Sequence, residues 1–401
     1  MPDIFAQPGG EGGARAELAR VVDQAGLDAV IRALRSRGYR TVGPTVRDRS
    51  ISLAEISGVA DLPQGWHDAQ SPGSYRLIPG DSREIFGWAV GADSVKRQLL
   101  PPREVVWRAG AQDLAPQEEP AAGLAPLALV GVRPCEVAAL GILDRVLGGG
   151  RVTDPRYASR RQDLFVCTVE CGSPASTCFC TSMGTGPEAE SGFDLAMTEI
   201  VEEGKPRYLV RVGSDRGAAV LNEVESQPAA LRDEAARREV LGRAESQMGR
   251  KVLTDGLPEL LERNLEHPRW DQVASRCLSC GNCTHVCPTC FCVSVEDTTD
   301  LAGTVERRRR WASCFEVGHS YIHGGPVRPT TRSRYRQWAT HKLGTWRAQF
   351  GTSGCVGCGR CIAWCPVGID LREEVSAIWA SDGLRAVAQR PGGGRDGRVN
   401  S

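Results

Sequence analysis

The sequence predicts an α+β fold with three parts: an N-terminal mixed α/β domain, a helical connector and a C-terminal cysteine-rich domain. Three observations predict it. Short apolar segments separated by Pro/Gly turns come first, a charged stretch of helical character follows, and two cysteine runs of one pattern come last. We expect a flexible tail at 1–14, the α/β domain at 15–215, the connector at 216–270, the cysteine-rich domain at 271–375, and a helix end with a disordered tail at 376–401.

The elements of the N-terminal half follow from local patterns. Residues 15–37 carry apolar side chains at helical spacing and predict a helix or a helix pair. The segments YRTVGPTV, SISLAEIS, YRLIP and EVVWRAG, between about 39 and 110, predict strands. PLALVGVRPCEVAALGILDRV predicts a buried strand, a turn and a helix with Pro134 in its first turn, and DLFVCTVEC and RYLVRVG add strands. We therefore expect a mixed sheet with helices on at least one face.

Composition and charge exclude several classes of protein. The formal net charge is +0, which argues against general binding to nucleic acid or to an anionic membrane. The start of the chain has no signal-peptide pattern, and the most apolar run, 121–132, is too short for a transmembrane helix. We expect a cytoplasmic protein with no direct membrane insertion. Its 16 cysteines then indicate metal ligation and not disulfides.

The runs CLSCGNCTHVCP (277–288) and CVGCGRCIAWCP (355–366) share the pattern C-x-x-C-G-x-C-x-x-x-C-P. Three thiolates at this spacing can wrap one cubane, and the fourth, before proline, leads away to the other cluster in bacterial two-cluster ferredoxins. The pattern therefore predicts a ferredoxin-like domain with two [4Fe–4S] clusters. The first cluster has ligands Cys277, Cys280, Cys283 and Cys365; the second has Cys355, Cys358, Cys361 and Cys287. The arginines between the two runs are expected to offset cluster charge or to form a docking face; they are Arg307 to Arg310, Arg328, Arg332, Arg334, Arg336 and Arg347.

Eight cysteines remain. Cys135, Cys171, Cys178 and Cys180 come from two segments of the α/β part and could hold a third cluster; zinc or unligated buried thiols are the alternatives. Cys135 is expected at a helix N-terminus, where the dipole lowers a thiol pKa. Cys167 lies within a predicted strand and is expected to be a bystander. Cys290, Cys292 and Cys314 are one thiol short of a set, so they either recruit a ligand from the α/β part or simply pack.

Several segments together resemble a known family: VGVRPCEVAALGILDRV, CGSPASTCFCTSMGTGP, CLSCGNCTHVCPTCFC, RRWASC, RSRYRQWATHK, CVGCGRCIAWCPVGID and, less closely, SVKRQLLPPRE. Over roughly residues 80 to 375 the chain is similar to the β subunit of sulfhydrogenases, which are cytoplasmic NADP-linked [NiFe] hydrogenases, and to the related iron–sulfur subunit of anaerobic sulfite reductase. The resemblance implies a non-catalytic electron relay. The expected partners are a flavoprotein that binds FAD and NADP, and either the hydrogenase small and large subunits or sulfite reductase subunits.

The resemblance carries over to all eight ferredoxin cysteines, and to the other candidate cysteines except Cys167. No G-x-G-x-x-G or P-loop pattern occurs, so we expect NADP to bind a partner and not this chain. Two other classes of function remain open from sequence. One is a self-contained redox enzyme with its active site at Cys135 and the CFC loop (178–180), and the other is a zinc-stabilised interaction protein.

Overall fold

The computed structural model describes residues 19–110, 117–118, 125–149 and 152–388. The predicted tail at 1–14 lies outside the described residues, and so does the end of the chain after residue 388. Within the described part, no helix is both long enough and apolar enough to cross a bilayer. The predicted boundaries between the three parts of the chain remain predictions.

The strands, in chain order, are β1 Arg20–Val22, β2 Arg40–Arg47, β3 Ser50–Glu55, β4 Trp66–Ser71, β5 Ser74–Pro79, β6 Arg103–Ala109, β7 Gln117–Glu118, β8 Leu127–Val132, β9 Phe165–Val169, β10 Leu195–Glu202, β11 Lys205–Val212, β12 Gln227–Pro228, β13 Val293–Thr299, β14 Val305–Trp311, β15 Tyr321–Ile322 and β16 Gly325–Pro326.

The α-helices are α1 Gln24–Ser36, α2 Lys96–Leu99, α3 Pro134–Leu143, α4 Pro155–Gln162, α5 Cys180–Met183, α6 Asp215–Leu221, α7 Leu231–Gln247, α8 Leu257–Arg263, α9 Arg269–Ala274, α10 Asn282–His285, α11 Thr331–Thr340, α12 Trp346–Phe350, α13 Arg360–Ala363 and α14 Leu371–Ala388. A 3₁₀ turn lies at Val59–Asp61, and π-helical turns lie at Asp144–Gly148 and His341–Thr345. Helices α6 to α9 confirm the helical character predicted between the α/β and cysteine-rich parts.

The principal sheet has eight strands in the order β12-β1-β11-β10-β9-β8-β2-β3. Strands β2, β8, β9 and β10 run parallel at its centre, and antiparallel strands complete both edges. This architecture confirms the predicted mixed sheet. Because the carboxyl ends of parallel strands meet at one edge, the residues that follow β8 and β9 lie close together, and both segments carry cysteines.

Helices cover both faces of this sheet. On β8, Ala128 and Val130 pack into a core shared with α1, whereas Leu127 and Leu129 pack into a core shared with α3. The strand is buried along its whole length, as expected for a parallel strand with helices on both sides. On β9, Cys167 belongs to the core on the α1 side.

The helix predicted at 15–37 is wrong at its start. Residues Arg20–Val22 form strand β1, which pairs antiparallel with β11, and α1 begins only at Gln24. The side chain of Asp23 ends the strand and caps the helix, because its carboxylate accepts a hydrogen bond from the Gly26 amide at 2.9 Å. Pairing at the sheet edge thus overrides local helical periodicity here.

A second sheet, in the order β13-β14-β6-β7, joins the two halves of the chain. Its strand β14 carries the arginine run at 307–310. Each of these arginines forms ion pairs with nearby carboxylates: Arg307 with Asp297, Arg308 with Glu306, Arg309 with Glu104 and Asp154, and Arg310 with Glu296 and Glu316. The guanidinium groups of this run therefore bind neighbouring acids. Arg334, another of the predicted arginines, is buried, and its charge lowers the pKa of Cys277. Compensation of cluster charge by the arginines between the runs, or a docking face formed by them, stays a prediction.

The turn between β4 and β5 packs against the second cysteine run. The Gly73 amide donates a hydrogen bond to the Ile362 carbonyl at 3.0 Å, and the Tyr75 ring stacks on Trp364 with centroids 5.0 Å apart. Gly73 has φ 76°, and a Cβ there would lie 3.0 Å from the Cys365 carbonyl oxygen. Only glycine fits both constraints, so this turn fixes the α/β part against the second run.

Candidate iron–sulfur centres

The two cysteine runs have the same backbone geometry around their first thiols. Ser279 and Gly357, the third residues of the runs, have positive φ values of 51° and 64°. Their amides point at the Sγ atoms of Cys277 and Cys355, each at 3.4 Å. The glycine after the second cysteine of each run also has positive φ, 73° and 74°. The sequence repeat is thus a repeat of backbone conformation, in which the chain wraps around its thiols and directs amides at sulfur.

The first candidate site is a cavity of about 30 Å³. Its wall contains Cys277, Cys280 and Cys283 of the first run and Cys365 of the second. Aromatic and aliphatic side chains complete the wall. Cys280 is exposed, so this site lies at the protein surface. The structure therefore brings together the four thiols predicted for the first cluster, including the one that crosses from the other run.

The second candidate site joins Cys287 to the second run. The Lys342 ammonium donates hydrogen bonds to the Cys287 Sγ at 3.2 Å and to the Gly354 carbonyl at 2.9 Å. Thr289 donates to the same carbonyl at 2.6 Å. Because Gly354 directly precedes Cys355, these bonds hold the fourth thiol of the first run beside the first thiol of the second run. This is the crossing predicted for the second cluster.

Lys342 is a buried cation, 3% exposed. Its three ammonium donors meet three acceptors, since Thr289 Oγ1 lies at 2.9 Å in addition to the sulfur and the carbonyl. Burial alone lowers the pKa of Lys342, but the charges of Cys287 and Cys290 raise this pKa well above its ordinary value. Conversely, the pKa of Cys287 lies well below its usual range. A hydrogen bond with Cys290 lowers it most, and the Lys342 ammonium lowers it further. The two groups therefore favour each other's charged form.

Lys96, on α2, is a second buried cation near these thiols, 1% exposed. Its ammonium donates to the carbonyls of Thr284 at 3.4 Å and His285 at 3.3 Å, and lies 3.8 Å from the Trp311 ring centroid. Burial lowers the pKa of Lys96, while the Cys290 thiol opposes this shift. The α/β part thus places a buried amine next to the cysteine-rich part.

A second cavity, of about 20 Å³, is lined by Cys135, Cys171, Cys178 and Cys180. Cys135 opens α3 just after β8, and Cys171 follows β9, at the edge where the parallel strands end. Cys180 is the first residue of α5. Cys167, by contrast, lies in the core on the other face of the sheet. The structure therefore brings together the four thiols of the predicted third set.

The predicted effect of the α3 dipole on Cys135 is wrong. Cys135 does lie in the first turn of α3, but it is only 8% exposed. Burial raises the pKa of Cys135 well above its ordinary value, and the Cys358 thiol raises it further. Burial also raises the pKa of Cys180 to about 12. Desolvation outweighs the helix dipole at Cys135.

Cys290, Cys292 and Cys314 lie beside the second candidate site. The Ala312 amide donates to the Cys292 carbonyl at 2.9 Å, which aligns the segments that carry Cys292 and Cys314. Burial raises the pKa of Cys314 to about 12, with Cys292 adding to the shift. Ligation by these three thiols stays a prediction. Among the described residues, no group of three or more His, Cys, Asp or Glu is arranged to hold a single metal ion.

Comparison with known proteins gives two matches. Residues 276–369 match the family model of a 4Fe-4S dicluster domain, a range that includes all eight cysteines of the two runs. The chain is also 32% identical to sulfhydrogenase 2 subunit beta of Pyrococcus furiosus over 279 residues, 69% of this chain and 79% of that protein. The chain belongs to the sulfhydrogenase beta subunit family. It is an iron–sulfur protein of the electron-transfer class.

The residues of this sulfhydrogenase family member fit iron–sulfur clusters. Soft thiol donors surround apolar cavities, and main-chain amides point at sulfur in both runs. Sequence reasoning missed the buried cations. A signal for them existed, since the chain has only four lysines, and Lys96 and Lys342 both lie in the segments quoted for the resemblance. Because nearly all the positive charge of the chain comes from arginine, a lysine in one of these segments indicates a position with a specific partner.

Proposed function

We propose that the chain is the electron-relay subunit of a cytoplasmic, multi-subunit NADP-linked [NiFe] hydrogenase. It passes electrons between a partner subunit that binds FAD and NADP and the hydrogenase small and large subunits. Each bound cluster accepts and donates one electron at a time. The observation that supports this function best is the pair of crossed thiol sets, which are arranged to hold two clusters next to each other.

In this proposal, the first cluster is held by Cys277, Cys280, Cys283 and Cys365, and the second by Cys355, Cys358, Cys361 and Cys287. Four thiolates cap all four irons of a cubane, which leaves no iron open for a substrate. Cys361 also lies on the wall of the first cavity, so the two sites share a boundary. Because the two cluster sites share a wall, electrons can pass directly from one cluster to the other, as an electron-transfer subunit requires.

The first site is the end at which electrons pass to or from a partner. Cys280 is exposed, and Leu278, at the same cavity, is 63% exposed. Cys287 and Cys358 of the second site are buried. A redox partner can therefore approach the first site directly, whereas the second is shielded by protein.

The name of the relative favours a hydrogenase over the alternative, the iron–sulfur subunit of anaerobic sulfite reductase. A zinc-stabilised interaction protein is the other alternative. The match of residues 276–369 to a 4Fe-4S dicluster domain favours iron–sulfur clusters over zinc in the two cysteine runs.

Purification of the tagged chain from its source cells, without oxygen, tests the partners. Subunits that contain nickel and FAD are expected to co-purify, and NADPH is expected to bleach the cluster absorption of the complex. The isolated chain should be reduced by dithionite but not by NADPH, because it has no dinucleotide-binding pattern. A sirohaem partner in place of nickel would assign the chain to sulfite reductase. A colourless chain with zinc and no acid-labile sulfide would refute electron transfer.

Replacing Lys342 should shift the potential of one cluster. Reduction adds a negative charge, which the buried ammonium at 3.2 Å from the Cys287 Sγ stabilises. Lys342→Met keeps the length of the side chain but removes the charge. We expect the potential of the second cluster to fall on the order of 60 mV, the one-electron equivalent of about 1.4 kcal/mol. Potentiometric titration followed by paramagnetic resonance measures it.

Lys251→Met is the matched control, because Lys251 is an exposed lysine. It should leave both potentials unchanged. Equal shifts of both clusters in Lys342→Met, or no shift in either, would contradict the assignment of this lysine to the second site.

A further inference from the structure

The cavity of the α/β part is lined by buried thiols and apolar side chains. Cys135, Cys178 and Cys180 are each less than 10% exposed, and the rest of the wall is largely apolar, with alanine, valine and proline side chains. Four thiols from two segments converge there: the first turn of α3, and the loop that follows β9 and ends at the first residue of α5. A packing defect alone would not explain why four soft metal ligands line one cavity.

The same cavity has a buried cation that forms no direct ion pair among the described residues. Arg133 lies on its wall and is 1% exposed. Its guanidinium donates to main-chain carbonyls, including those of Glu170 at 3.1 Å and Phe86 at 2.7 Å, and its Nε has no hydrogen-bond partner. In the described part of the chain, the Asp68 carboxylate interacts electrostatically with Arg133 without a direct ion pair. A buried charge is costly unless it is compensated, so this cavity favours a further anionic group.

The cavity adjoins the second cluster site. Cys358 of the second run lies on its wall, and the Cys178 Sγ is 3.8 Å from the Cys358 carbonyl oxygen. The Phe179 amide donates to the Gly357 carbonyl at 2.8 Å. A Cβ on Gly357 would lie 2.6 Å from the Phe179 backbone, so glycine permits this close approach. The loop at 178–180 and the second run are thus packed backbone to backbone.

We infer that Cys135, Cys171, Cys178 and Cys180 bind a third [4Fe–4S] cluster, next to the second, with Arg133 compensating its negative charge. Four thiolates match the ligand count of a cubane, and the apolar wall excludes water from it. The second site then lies between the two cavities, with Cys361 at one and Cys358 at the other. The three clusters form a row from the exposed first site into the α/β part. This inference adds a site to the proposed function and does not alter its first two sites.

Metal analysis of the full chain, reconstituted without oxygen with ferrous iron and sulfide, tests the third site. The unaltered chain should contain about twelve irons and twelve sulfides, four for each cluster. Cys178→Ala should lower the iron content to about eight and remove one of three reducible signals in paramagnetic resonance. Cys171→Ala, in a less buried position, should have the same effect and serves where Cys178→Ala does not fold.

Cys167→Ala is the control, since Cys167 is a fully buried thiol on the opposite face of the sheet. It should retain all of the iron. About eight irons in the unaltered chain, with or without one zinc, would overturn the third cluster and leave the two-cluster relay intact. About twelve irons that neither Cys178→Ala nor Cys171→Ala reduces would place the extra iron elsewhere and would also overturn it.

Discussion

Cys365→Ala is expected to remove the cluster of the first run, although Cys365 belongs to the second run in sequence. The reason is geometric, since Cys365 lies on the cavity wall with Cys277, Cys280 and Cys283. Loss of one thiolate leaves an iron uncapped beside an exposed ligand, Cys280, where solvent and oxygen can attack it. We expect about four irons and one reducible signal to be lost, as measured by iron analysis and paramagnetic resonance.

Two reference variants tell which cluster is lost. Cys280→Ala removes a ligand of the first run, and Cys358→Ala removes one of the second. The signals that remain in Cys365→Ala should match those of Cys280→Ala. A match to Cys358→Ala would mean that each run binds its own cluster, and the crossed assignment would fail.

Much of this arrangement follows from sequence because it is local. The spacing of Cys277, Cys280 and Cys283 is itself the geometry of a chain that wraps three ligands around one centre, and the proline after the fourth cysteine sends it elsewhere. The secondary structure around Cys135 could also be predicted, because a buried strand followed by a proline and an apolar helix is a strong signal. Patterns of this kind specify elements within about twenty residues of each other.

The charge balance of the sites was not predictable in this way. Lys342 contacts the thiol of a residue 55 positions earlier, and Arg309 pairs with Glu104, 205 positions earlier. Such partners depend on how the sheets and cysteine runs pack, which local patterns do not encode. The sequence suggested the arginines between the runs as compensating charges. Of these, the run at 307–310 binds carboxylates and the buried Arg334 acts on Cys277, whereas Lys342 and Arg133 at the other thiols were not predicted.

Arg360→Met is expected to destabilise the protein by about 3–5 kcal/mol, the usual cost of breaking a buried ion pair. Arg360 lies between Cys358 and Cys361 in the second run and is 1% exposed. Its guanidinium binds Glu136 of α3 at 2.7 Å and the carbonyls of Gly91 and Asp93, each at 2.9 Å. Methionine keeps the apolar stem but leaves the Glu136 carboxylate buried without its partner. The midpoint of urea unfolding without oxygen, at matched iron content, measures the change.

Arg307→Ala is the control, because Arg307 and its partner Asp297 are both exposed, and it should leave the midpoint unchanged. Glu136→Gln and the double variant complete a mutant cycle. If Arg360 and Glu136 formed an isolated ion pair, either single change would cost a similar amount. We expect Glu136→Gln to cost less, because the charges of Cys358 and Cys135, like that of Glu136, stabilise the Arg360 cation. The double variant should then remain less stable than Glu136→Gln alone, since those thiolates lose their cation. If the double variant were as stable as Glu136→Gln alone, Arg360 would interact only with the Glu136 carboxylate. It would then not connect the second thiol set to the α/β cavity.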